Sequence, residues 1–131
     1  MSDRTRVLVT GGCGFIGSHL VRCLVETERL AVTNLDLLTY AGNKDNVADL
    51  EDSPHYRFVH GDVAEPADVR AAAEGAEAIF HLAAESHVDR SIEDASAFLR
   101  TNVTGTRVVL SDALDRGVRL VVVSTDEVYG S

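Results

Sequence analysis

Basic residues are scarce in this 131-residue sequence, and lysine is almost missing. Twelve Lys and Arg face 21 Asp and Glu, and Lys44 is the single lysine. The formal net charge of -9 argues against a general binder of nucleic acid or of anionic membrane, since both need a basic surface. Any phosphate must be held by local geometry instead of a positive patch. Cysteine is as sparse. Cys13 and Cys23 form no C-x-x-C pair, and two cysteines make no disulfide framework, so both read as reduced thiols. No apolar run could span a bilayer, and "MSDRTRVLVT" passes from charge into a short apolar segment with no signal-peptide core. A soluble, cytoplasmic protein is expected, without nucleic-acid or membrane partners. The five histidines (His19, His55, His60, His81 and His87) lack metal-ligand spacing, so no metal is expected. His81, inside an apolar run, reads as a satisfied core histidine.

What is present is ordinary globular composition, 45% hydrophobic and 25% charged, at a one-domain length. Short apolar runs alternate with helical patterns. "RVLVT" (6–10), "AVTNLD" (31–36), "YRFVHGD" (56–62), "AIFHLAA" (78–84) and "VRLVVVS" (118–124) are five candidate buried strands. After the first strand comes a helix with Ile16, Leu20, Cys23 and Leu24 on one face. A short polar helix is expected over 46–51. Pro66 suits the first turn of a helix that Gly75 stops, and a longer helix near 95–116 closes at Gly117. Continuous apolar strands separated by helices mean parallel pairing with both sheet faces covered. Right-handed crossovers then give an α/β, doubly wound parallel sheet of Rossmann type with strand order 3-2-1-4-5, one domain over residues 1–131.

Gly11, Gly14 and Gly17 form G-x-x-G-x-x-G between the first strand and the first helix. Glycines there allow a sharp turn, close backbone approach to a pyrophosphate, and tight helix-to-strand packing. The helix N-terminus adds unpaired N–H groups and a favourable dipole, which lets an acidic protein hold a diphosphate. Asp36 ends the second strand, 19 residues after Gly17. An acidic side chain there accepts hydrogen bonds from ribose hydroxyls. It also repels a 2′-phosphate, by about 4 kcal/mol for unit charges about 4 Å apart at an effective dielectric near 20. NAD is therefore expected over NADP. Asp62, after the third strand, is placed to meet the adenine. Leu82, Ala83 and Ala84 end the fourth strand, at the switch point where a ligand crosses the sheet.

Ligands of open α/β sheets bind beyond the C-terminal ends of the strands. Ser86 follows the fourth strand, and Thr125, Asp126 and Glu127 follow the fifth. Two neighbouring carboxylates can divide acid and base roles when their environments push their pKa values apart.

The stretches "TGGCGFIGSHL", "LTYAGN", "HLAAESHVDRSI", "TNVTGT" and "STDEVYG" run in order along the whole chain. Together they resemble the extended short-chain dehydrogenase/reductase family, and within it the nucleotide-sugar 4,6-dehydratases of the dTDP-glucose type. Related sugar-nucleotide epimerases share "GFIG" and "NVTGT" but lack the acidic pair and "AAESHVDRSI". The resemblance implies that Phe15 and Ile16 flank the cofactor diphosphate. Asp36, Leu37, Leu38 and Thr39 match the adenosine-ribose segment. Family members usually carry Lys at the position of Leu37, so one polar contact is missing here. Asp62 and Val63 match the adenine contact, Leu82, Ala83, Ala84 and Ser86 the nicotinamide-side wall, and Thr101 a further cofactor contact. Ser86 and Thr125 match residues near the sugar hydroxyls. Asp126 matches the acid that protonates the departing C6 hydroxyl, and Glu127 the base that removes the C5 proton.

The implied reaction converts a nucleotide-diphosphate sugar, dTDP-glucose foremost, to its 4-keto-6-deoxy form. It proceeds by oxidation at C4, loss of water across C5–C6 and hydride return to C6, with NAD regenerated each turnover. Oxidation at C4 needs, in this family, a tyrosine with a lysine four residues later on a helix. Tyr40 and Lys44 have that spacing, but they lie beside Asp36 at the adenosine end, and Gly42 interrupts any helix. Tyr129 has no residue four positions on. The chain is therefore expected to be the N-terminal portion of a longer enzyme, without the sugar-nucleotide lobe and not competent as a dehydratase alone. Family dimers pair two long helices per subunit, and this chain supplies one, so weak or absent self-association is expected. Two alternatives stand beside this reading: a sugar-nucleotide epimerase or decarboxylase of the same superfamily, and a non-catalytic NAD(H)-binding module.

Overall fold

The computed structural model describes residues 4–38, 43–83 and 95–124. Thr39, Ala84, Ser86, Thr125, Asp126 and Glu127 lie outside the described residues, as do Tyr40, Gly42 and Tyr129. Five strands alternate with helices: β1 (Thr5–Thr10), α1 (Phe15–Glu26), β2 (Leu30–Asp36), a 3-10 helix (Lys44–Leu50), β3 (Tyr56–His60), α2 (Pro66–Ala72) and β4 (Ala78–His81). A continuous helical stretch follows, built of α3 (Ala95–Leu99), a π-helical segment (Arg100–Gly105) and α4 (Thr106–Arg116), and then β5 (Arg119–Val122). The strands form one parallel sheet in the order β3-β2-β1-β4-β5. This is the Rossmann-type topology expected from the alternation of apolar runs and helices.

The central strand explains the continuous apolar reading. In β1, Val7 and Val9 face one layer, with Val21 of α1 and Val47 and Leu50 of the 3-10 helix. Leu8 faces the other, with Val69 and Ala72 of α2 and Val108, Val109 and Ala113 of α4. Both faces are covered from Val7 onward, so the strand is exposed only at its first two residues, Thr5 and Arg6. Helix ends follow the sequence signals. Pro66 opens α2, Gly75 turns the chain out of it at φ 78°, and Gly117 caps α4 in the left-handed conformation at φ 66°.

Three expectations change. Leu20 and Leu24 of the expected face of α1 pack against the core, but its buried residues are Gly17, Ser18 and Val21, while Ile16 and Cys23 are exposed. The helix packs so closely on the turn before it that small residues occupy the contact. Among the described residues β5 pairs with β4, and Val121, Val122 and Val123 are half exposed where burial was expected. The third and fourth strands are shorter than their apolar patterns, ending at His60 and His81. No helix among the described residues is long and apolar enough to cross a membrane.

Candidate dinucleotide site

The turn Gly11–Gly14 sits between the ends of β1 and β2, and the protein consumes its amides one by one. Gly11 N–H donates to the Leu35 carbonyl (2.9 Å), Gly12 N–H to Asn34 Oδ1 (2.9 Å), Cys13 N–H to Asp36 Oδ2 (2.8 Å) and Gly14 N–H to the Gly11 carbonyl (3.3 Å). The Cys13 carbonyl accepts from Asn43 N–H (3.0 Å) and Asn46 Nδ2 (2.8 Å), which docks the 3-10 helix onto the turn. Past the turn this accounting stops. Gly14 is the N-cap residue of α1 and supplies no side-chain cap. The amides of Phe15, Ile16 and Gly17 therefore have no protein acceptor among the described residues, and Ser18 N–H is the first to bond back, to the Gly14 carbonyl. They are the free donors at the positive end of the helix dipole, the arrangement that suits an anion.

Glycine is required here on steric grounds. Gly11 has φ +75°, and a Cβ on it would lie 2.7 Å from Ala83 N and 2.8 Å from Ala83 Cα. A Cβ on Gly17 would collide with the Gly11 carbonyl oxygen. Turn, helix and the end of β4 thus meet backbone to backbone. Phe15 and Ile16 are 78% and 63% exposed, an apolar pair that the core does not use, beside the free amides.

Asp36 stands where the sequence put it. It is 8% exposed, and its two oxygens accept from Cys13 N–H and Leu38 N–H, each at 2.8 Å. A carboxylate offers about four acceptor positions. One on each oxygen remains for a ribose hydroxyl. Leu38, at φ 60°, and the partly exposed Leu37 follow it. At the far end of the site, Asp62 Oδ1 accepts from Ala64 N–H (2.9 Å), and Asp62 Oδ2 is bound by Arg100 (3.1 Å). Arg100 also pairs with Glu65 at 2.6 Å, which joins the loop after β3 to the π-helical segment. Val63 is buried against that segment, so closely that a Cβ on Gly105 would lie 2.5 Å from it. Thr101 lies in the same segment, partly exposed.

The structure brings the glycine turn, Asp36, Leu82 and Ala83 together around the ends of β1, β2 and β4. Asp62, Val63 and Thr101 form a second group, held by Arg100. The expected acid–base pair, Asp126 and Glu127, falls outside the described residues, with Thr125 and Ser86. Sequence reasoning missed Asn34. This fully buried side chain supports the turn from below, accepting from Gly12 and donating to Tyr56 Oη (3.1 Å) and Cys13 Sγ (3.4 Å). Its one signal was a polar residue inside the apolar run "AVTNLD". Burial, and then the negative charge of Asp36, push the Cys13 thiol up to about 11, so it is a protonated packing group and no nucleophile. His81 is the satisfied core histidine expected, 3% exposed and bonded to Thr10 and Thr106. Among the described residues no group of three His, Cys, Asp or Glu stands where it could hold a metal ion.

Known proteins agree with this geometry. A dTDP-glucose 4,6-dehydratase of Streptomyces griseus is 53% identical over 131 residues, an alignment covering 97% of this chain and 40% of that protein. The solved structure of DesIV, the dTDP-glucose 4,6-dehydratase of Streptomyces venezuelae, with NAD and TYD bound, superposes with a TM-score of 0.89 at 54% identity. It is matched over 97% of this chain and 41% of its own. The Bacillus anthracis dTDP-glucose 4,6-dehydratase in complex with NAD gives 0.85 at 37% identity, over 97% and 39%. The chain thus spans about two-fifths of the length of these relatives. The model of the NAD dependent epimerase/dehydratase family matches residues 7–131, and the chain belongs to that family.

Proposed function

We propose that residues 1–131 are the NAD-binding domain of a nucleotide-sugar 4,6-dehydratase acting on a dTDP-glucose-type substrate. The observation that carries this reading is the glycine turn whose own amides are all spent internally, leaving those of Phe15, Ile16 and Gly17 to face a diphosphate next to Asp36. The residues fit the coenzyme. Gly11, Gly14 and Gly17 admit the diphosphate, and Asp36 has an acceptor position left on each oxygen for the ribose. Leu37, Leu38 and Thr39 flank the ribose, Asp62 and Val63 receive the adenine, and Leu82, Ala83, Ala84, Ser86 and Thr101 line the rest. NAD, when bound, supplies the two-electron chemistry at the sugar. Asp126 protonates the departing C6 hydroxyl and Glu127 takes the C5 proton. Thr125 and Ser86 hold the sugar hydroxyls. The "DE" pair of "STDEVYG" favours a dehydratase over an epimerase of the same family. A homodimeric parent is part of the proposal: Leu99, Val103, Leu110 and Leu114 form an exposed stripe on one face of the α3–α4 helical stretch.

Calorimetry on this chain tests the coenzyme half. NAD should bind more tightly than NADP, and Asp36→Ala should narrow the difference; tighter NADP binding by the wild type overturns it. The catalytic half is tested in the longer parent protein. There Asp126→Asn and Glu127→Gln should each slow water loss by about two to four orders of magnitude, the usual worth of a general acid or base, with NAD binding nearly intact. Full turnover by the double variant would exclude the assignment.

A further inference from the structure

Thr10 and His81 are register partners on the adjacent parallel strands β1 and β4, the last residues of each. Their side chains share the face that carries α4. The Thr10 hydroxyl accepts from Ala83 N–H at 3.1 Å, shares Leu82 N–H (3.1 Å) with the Thr10 carbonyl (3.0 Å), and lies 2.7 Å from His81 Nδ1. A hydroxyl has two acceptor positions and one proton. Two amides face the oxygen's acceptor side, Ala83 N–H with no other acceptor among the described residues, which directs the hydroxyl proton to His81 Nδ1. That nitrogen must then be unprotonated, and the ring proton sits on Nε2, which donates to Thr106 Oγ1 at 3.1 Å. This arrangement of donors favours the neutral Nε2-protonated imidazole.

Each end of this chain abuts one half of the coenzyme site. The Leu82–Ala83 backbone that Thr10 holds is the surface against which Gly11 packs with no room for a Cβ. Thr106 opens α4 directly after Gly105, which packs on Val63 with equally little clearance. We infer that His81, as the neutral Nε2-protonated tautomer, is a positioning residue that couples the glycine turn to the Val63 and Thr101 side of the dinucleotide site. At 3% exposure His81 touches no ligand and acts through Thr10 and Thr106. The inference rests on the coenzyme reading above for what is positioned, and on hydrogen-bond geometry alone for the tautomer.

Two substitutions separate the two bonds. In His81→Asn the amide oxygen stands near the Nδ1 position, keeping the acceptor for Thr10 and losing Thr106. In His81→Gln the amide nitrogen reaches towards Thr106 and leaves the Thr10 proton without its acceptor. Nitrogen-15 NMR of the wild-type chain at neutral pH should show His81 protonated on Nε2 alone; an Nδ1–H tautomer or an imidazolium overturns the inference. Hydrogen exchange at Ala83 should stay slow in His81→Asn and quicken in His81→Gln, while Leu82, which keeps the Thr10 carbonyl, serves as the internal reference. NAD affinity should fall roughly fivefold in His81→Gln, about the worth of one neutral hydrogen bond, and less in His81→Asn. Equal exchange and equal affinity in the two variants would sink the claim. If the wild-type chain binds no NAD, the coenzyme reading fails, while the tautomer and the exchange data still decide the role of His81. If neither variant folds, the wild-type tautomer remains decisive.

Discussion

Lowering the pH from about 7.5 to about 5 charges histidines in any unfolded chain, and here it opposes an imidazole that the fold keeps neutral. Burial pushes His81 down from 6.5 to about 4, with no charged neighbour contributing. Between those values the unfolded chain takes up a proton that the folded chain refuses. The stability contributed by the neutral ring is therefore complete above 6.5 and is lost as the pH falls towards 4. A full shift of that size is worth about 3 kcal/mol, and about 2 kcal/mol of it is lost by pH ~5. The ring is 3% exposed, so solvent screening takes little from the figure. Urea unfolding of the wild type and of His81→Asn across this range measures it. Every other ionisable group is common to the two proteins, so the difference between the two curves isolates His81. The variant should be the less stable at pH ~7.5, having lost the Thr106 bond, and the difference should move by about 2 kcal/mol in the variant's favour by pH ~5, enough to cancel or reverse it. A gap that stays constant would refute both the burial argument and the neutral tautomer.

Two further perturbations probe the rest of the site. Gly17→Ala would ordinarily stabilise a helix by up to about 1 kcal/mol. Here the new methyl meets the Gly11 carbonyl and lies 2.9 Å from Gly12 Cα, with no flexible side chain to yield. The sign should invert to a loss of about 1–3 kcal/mol in urea unfolding, with weaker NAD binding, and a raised midpoint would contradict the backbone-to-backbone contact. Arg100→Ala removes the exposed pairs with Asp62 and Glu65 and should leave the urea midpoint where it was, since solvent screens them. Calorimetry should nonetheless record weaker NAD binding, because Asp62 loses its orientation; unchanged affinity would separate Asp62 from the coenzyme.

The legible and illegible parts of this protein divide by the range of the interaction. Val7, Leu8 and Val9 read as a buried strand because both faces of β1 are covered, and that requirement is written in consecutive residues. Gly11, Gly17 and Asp36 were legible for the same reason: a tight turn and a strand end impose their needs locally. The face of α1 was legible only at Leu20 and Leu24. Hydrophobic periodicity counts apolar side chains and so chose Ile16 and Cys23, whereas close approach to the glycine turn selects for small volume and buried Gly17 and Ser18. The polar supports were the least legible. Asn34 reaches Gly12 across 22 positions, Arg100 reaches Asp62 across 38, and Thr10 reaches His81 across 71. Each partner alone looks like an ordinary strand or loop residue, and no local period records the pairing. In the folded chain the same three pairs hold the glycine turn, the loop after β3 and the end of β4 in place. The site is thus announced by residues whose constraints are local. Its geometry is held by residues whose constraints exist only once strand order has brought distant segments together.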